Sequence, residues 1–228
     1  MRHLLCIIIF AALNNGIAQN NPRKDNYLNK QDTIINVFDI KKFNLNKNDL
    51  NQFSFKLNET TTVSHRELKD EYIEVIQSDT SVFEDFKSYH KNGNLKASVK
   101  RYPNSFLKGE LKEYDKNSNL INIIDHDEPF KFTWKDIEAF LMAHEVEDLK
   151  KNIISIRRFN EKKTSKFVRK GPYWQLEFIG KYKDLIGQFS IELDGITGEE
   201  LLVKRFRGKG PKGKSGTIAL YDTIYEKE

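Results

Sequence analysis

The sequence predicts an α+β protein: an N-terminal antiparallel β-hairpin region, then a domain in which one helix packs on an antiparallel sheet. Three observations carry this. Short runs alternate apolar and polar residues from Thr33 onward, a seven-residue pattern occurs twice in the first half, and in the second half one stretch of helical spacing precedes four alternating runs.

Residues 1–18 come first. Met1-Arg2-His3 precedes an unbroken apolar run from Leu4 to Leu13, and Gly16 and Ala18 supply small residues ahead of a cut after Ala18, the pattern of a secretory signal peptide. The run is shorter than the roughly 20 residues that span a bilayer. The only cysteine, Cys6, lies inside it, so the mature chain would carry none. Export without disulfides suits a bacterial periplasmic or extracellular protein better than a cysteine-dense secreted domain. Residues 19–32, polar and rich in asparagine, read as a flexible leader.

Residues 33–128 read as mostly β. "TIINVFDI" and "NQFSFKLN" alternate, with Phe53, Phe55 and Leu57 on one side and Gln52, Ser54 and Lys56 on the other. "YHKNGNL" (Tyr89 to Leu95) then recurs as "YDKNSNL" (Tyr114 to Leu120), 25 residues on. The shared Lys-Asn-x-Asn core, centred on Gly93 and Ser118, supplies residues that tolerate the left-handed backbone of a tight hairpin, so each copy reads as strand, turn, strand. These hairpins, over roughly Phe83 to Asp125, resemble the MORN-like repeats of bacterial antitoxin-like proteins, although only the first copy keeps the glycine. The resemblance implies a hairpin surface.

Residues 129–207 open with a helix. Thr133 stands as N-cap with Asp136 three residues on, and Ile137, Phe140, Leu141 and His144 follow at helical spacing. The strands "NIISIRRF", "YWQLEFIG", "GQFSIELD" and "EELLVKRF" come next, with Trp174, Leu176 and Phe178 on one face and Phe189, Ile191 and Leu193 directed inward. Asp194, Gly195 and Gly198 mark the last connection as a tight turn. One helix, these strands, Trp174 and the hairpin residues Asp194, Thr197, Gly198 and Glu199 are similar to the PepSY domain over about Phe132 to Phe206. That resemblance implies a protein that binds or restrains peptidases and has no catalytic residues of its own.

Residues 208–228 form a basic, glycine-rich loop and a C-terminal segment. "GKGPKGKS", from Gly208 to Ser215, fits the phosphate-binding P-loop pattern letter for letter. A working P-loop needs a buried parallel strand before it and further strand-helix units after it, and the 13 residues beyond Ser215 leave no room for them. ATP is therefore not an expected ligand. Lys204, Arg205, Arg207, Lys209, Lys212 and Lys214 make the stretch basic, suited to an acidic protein surface or an anionic lipid or glycan. Nucleic acid is not expected, because the aromatic platform that single-strand binding needs is reduced to Phe206, and the net charge of +5 is too mild to argue for it.

No stretch specifies a reaction. His144-Glu145-Val146-Glu147-Asp148 begins like a zinc-peptidase helix but places Asp148 where the second histidine belongs, and no third ligand is identifiable. Asp125, His126, Asp127 and Glu128 lack the spacing of a calcium loop. The mature chain has neither a cysteine nor a Gly-x-Ser-x-Gly elbow for acyl transfer. The sequence therefore predicts a non-enzymatic, cofactor-free protein with a protein partner, contacted through the basic residues and the hairpin around Asp194 and Gly198. A metal-dependent hydrolase using His144, Glu145 and Asp148, or the acidic linker Asp125 to Glu128 with a metal, is the alternative, as is attachment to an anionic surface through the basic tail.

Overall fold

The computed structural model describes residues 37–161, 169–211 and 216–227. The expected signal peptide and leader lie outside the described residues, as do Lys212 and Lys214.

Two antiparallel meanders dominate. The first runs in chain order through β1 (Gln52–Asn58), β2 (Thr61–Glu67), β3 (Glu71–Ser78), β4 (Glu84–His90), β5 (Leu95–Arg101), β6 (Leu107–Tyr114) and β7 (Leu120–Asp125). The second comprises β8 (Ile153–Glu161), β9 (Gly171–Tyr182), β10 (Leu185–Asp194), β11 (Glu200–Pro211) and β12 (Thr217–Glu226), again with neighbours in sequence paired in space. Helices α1 (Ile40–Asn46) and α2 (Trp134–Ala143) precede the two sheets.

The expected class, an α+β protein with one helix packed on a sheet, is corrected: the protein is mostly β, and its described helices are only 7 and 10 residues long. The two ends account for much of the difference. Of "TIINVFDI", expected as a strand, residues 33–36 lie outside the described residues, and Val37 makes an isolated bridge to Asn94. Asp39 then accepts the Lys42 N–H at 2.8 Å and caps α1, which buries Phe43 completely. At the other end, residues 208–211, the described start of the stretch expected as a loop, are the last third of β11, paired to β12 from Pro211↔Thr217 inward. Gly208, at φ +132°, sits at a register shift that a residue with a Cβ would strain to make.

α2 forms where its cap residues stand. Asp136 Oδ2 accepts both the Thr133 N–H and its hydroxyl at 2.7 Å. The helix buries Ile137 and Leu141 in one core with Trp174, Phe178, Phe189 and Leu193, all exposed by 1% or less. Loop residues of the first sheet join them: Phe106 is buried there and packs edge-on to Trp174 at 5.3 Å. Arg158 of β8 lies against the same rings, over Phe130 at 4.8 Å and Phe106 at 4.9 Å, and bonds Asp127 Oδ1 at 2.6 Å and the Leu107 carbonyl. Chain leaving the first sheet is thereby tied to the second.

A smaller core sits on the first sheet, where Phe38 and Phe43 cover Tyr72, Tyr89 and Leu95. Beneath them Glu74 accepts from the Tyr89 hydroxyl at 3.0 Å and meets His65 Nε2 at 2.9 Å and Lys87 Nζ at 3.4 Å. Burial pushes the Glu74 carboxyl up, but the His65 bond, the Lys87 charge and the Tyr89 bond outweigh it and hold it below the ordinary glutamate value.

Candidate protein-docking edge

The sequence repeat is a repeat of hydrogen-bond register. In the first hairpin Asp85 pairs with Lys100, Phe86 with Val99, Lys87 with Ser98, Ser88 with Ala97 and Tyr89 with Leu95. Adding 25 to each number gives the pairs of the second hairpin, Glu110 with Asp125 through Tyr114 with Leu120. Even the irregularity recurs, since Lys96 and Ile121 are the residues skipped beside the turn. Gly93 and Ser118 both adopt positive φ, at 90° and 67°, and in both turns the first and last residues close with a bond of 2.8–2.9 Å, His90 to Asn94 and Asp115 to Asn119.

The second hairpin docks on the first through its strand and its turn. β6 pairs with β5 from Ala97↔Glu113 to Arg101↔Leu107. At the turns, Asn92 Nδ2 and Asn94 Nδ2 donate to the Lys116 carbonyl at 3.0 and 2.7 Å, and His90 Nε2 lies 3.1 Å from the Tyr114 carbonyl.

Among the described residues no strand pairs beyond β7, so one row of its backbone groups is unpaired within the sheet. Every residue of β7 is exposed. Leu120, Ile121, Ile123 and Ile124 are 39%, 65%, 49% and 42% exposed, and no charge stands among them. The counterparts of Leu120 and Ile124 in the first hairpin are covered: Leu95 is 9% exposed and Val99 7%. Of the other end strands, β1 carries Lys56, β8 Arg157 and β12 Asp222 and Glu226, whereas the single charge of β7, Asp125, stands at its last position. The Ile121 bulge protects only the turn end of β7, leaving Asn122–Asp125 in regular register.

The residues favoured from the sequence lie elsewhere. Asp194 Oδ1 accepts the Ile196 and Thr197 N–H groups at 2.8 Å each, shaping the β10–β11 turn. Burial raises its carboxyl, yet the Thr197 and Ile196 bonds prevail and hold it below the ordinary aspartate value. Gly198 has φ +75°, and a Cβ there would stand 2.2 Å from the Phe132 ring. Lys204, Arg205, Arg207 and Lys209 all lie on β11. Arg205 donates to the Ile186 carbonyl at 2.9 Å and Arg207 pairs loosely with Asp222 at 3.4 Å.

The histidine-acid stretch after α2 is a helix stop. Glu145, at φ 59°, donates its N–H to the Met142 carbonyl and Val146 donates to Leu141, a Schellman pattern with glutamate where glycine is usual. His144 Nδ1 lies 2.7 Å from the Phe140 carbonyl, Glu145 reaches Lys181 at 3.0 Å and Asp148 reaches Lys151 at 2.9 Å. Among the described residues no three His, Cys, Asp or Glu side chains are grouped to hold a metal ion.

The β7 edge was missed as a site because "LINII" read only as the second strand of a repeat. The available signal was an apolar run of a final repeat unit with no unit after it to cover it. Comparison of the chain with protein-family models, curated proteins and solved structures finds no match.

Proposed function

We propose that the protein is an exported, non-enzymatic binding module of the bacterial envelope that holds another protein through the free edge of β7. One observation carries the reading: four apolar side chains and an unpaired backbone row lie together on an end strand that lacks a charge among its first five residues. Such an edge hydrogen-bonds an extended segment along its main chain, while the side chains on its two faces select which segment fits. The pattern of residues 1–18 supports export, and the PepSY-like motif around Trp174 and Asp194 supports a peptidase as the class of partner. Affinity capture from an envelope extract tests this, with the wild-type chain and Ile124→Lys compared. Wild type recovers one dominant protein and the variant loses it; equal recovery by both would refute the use of this edge.

A further inference from the structure

We infer that the edge is built for a third hairpin of the same kind, supplied by the partner. The inference rests on the docking role proposed for β7 and specifies the chemistry of what docks there.

The argument is the repeat itself. Positions 25 residues apart share one register, yet Val99 is 7% exposed and Ile124 42%; Leu95, 9% exposed against 39% for Leu120, is covered in part by Phe38 and Phe43. Side-chain size does not explain this. Among the described residues β5 has a hairpin beside it and β7 has none. Whatever covers Ile124 therefore stands to β7 as β6 stands to β5, antiparallel and with its turn at the same end.

That relation fixes three features of the occupant. Tyr114, the last residue of β6, packs on the core that contains Leu95, so the incoming strand ends in an aromatic residue that covers Leu120. Lys108 faces Lys100 across β5 and β6, and the counterpart of Lys100 is Asp125, so a basic residue at the place of Lys108 meets a carboxylate instead of a like charge. At the turn, Asn92 donates to the Lys116 carbonyl, and its counterpart Asn117 uses its backbone N–H for Asp115 while its side-chain amide has no partner among the described residues. It is positioned to donate to the equivalent carbonyl of the incoming turn. The occupant is thus a hairpin whose first strand carries a basic residue and ends in an aromatic one before a turn that offers a backbone carbonyl to Asn117.

β6 with its turn meets these requirements, so a labelled synthetic peptide of residues 105–119 is the probe, titrated into the full chain and read by fluorescence anisotropy. Saturable binding is expected, absent for a scrambled peptide of the same composition and abolished by Ile124→Lys. Asn117→Ala, an exposed turn substitution that leaves the strands intact, weakens binding about fivefold, the effect of one neutral hydrogen bond. Absence of saturable binding, or equal binding to Ile124→Lys, overturns the inference. If capture of the envelope protein still depends on Ile124 in that event, the edge keeps its role and only the hairpin assignment falls; if capture is also insensitive to Ile124→Lys, both fall.

Discussion

Arg158 Nη1 donates to Asp127 Oδ1 at 2.6 Å, joining β8 to the chain that leaves β7. The arginine side chain is 7% exposed and the aspartate 41%. The guanidinium also bonds the Leu107 carbonyl and lies over Phe106, Phe130 and Trp174. Removing one partner of a buried pair costs about 3–5 kcal/mol, and the half-open Asp127 reduces that here. Arg158→Ala is expected to lower unfolding stability by about 2–4 kcal/mol in urea denaturation, with Arg158→Lys falling between because a single ammonium nitrogen lacks the planar spread of donors and the flat face of the guanidinium. A loss below about 0.5 kcal/mol, the scale of a neutral surface change, would remove Arg158 as the tie between the sheets.

Gly198 is required by space as much as by backbone. Gly198→Ala combines positive φ with a clash against Phe132, and a loss of about 2–4 kcal/mol is expected from thermal or urea unfolding. Asp194→Ala, which frees two N–H groups of the same turn, costs about 1–2 kcal/mol. If Gly198→Ala unfolded like the wild type, the turn geometry described here would be wrong.

Glu145 illustrates the opposite case. A side chain in the left-handed region is strained, and its exposed pair with Lys181 returns little. Glu145→Gly is therefore expected to raise the melting temperature, by about 0.5–1 kcal/mol of stability. A lower melting temperature would show that the Lys181 contact outweighs the strain.

Acid should weaken the fold through identified carboxylates. Glu74 and Asp194 are both held below their ordinary values in the folded state. The unfolded chain therefore takes up their protons first as pH falls. Their contribution is complete above the ordinary carboxylate range of about 4 and is lost as pH drops through the lower folded values. The melting temperature is expected to fall between about pH 5 and pH 2, less steeply in Glu74→Gln. A wild-type midpoint that stays level over that range would contradict the assignment.

Local signals in the sequence were readable wherever a short-range rule decided the outcome. Alternation placed Trp174, Leu176 and Phe178 inward, the Thr133–Asp136 pair started α2, and the Lys-Asn-x-Asn repeat set two hairpins in one register. The class failed where pairing over distance overrode local character. Gly208 to Pro211 looks like a loop until β12 pairs with it. The start of α1 is the exception, a short-range signal: Asp39 caps it through the Lys42 N–H, three residues on, inside a stretch whose alternation reads as a strand. The site was illegible for a related reason: whether "LINII" is covered depends on the absence of a strand beyond β7, a property of the whole sheet rather than of those residues.

Amide hydrogen exchange along β7 tests the central claim most directly, measured for the chain alone and with its captured partner or the 105–119 peptide at saturation. Slowed exchange confined to Asn122–Asp125 and the Asn117 turn, with other sheet ends unchanged, is the predicted result. Bound ligand that leaves β7 exchanging at its free rate would contradict it.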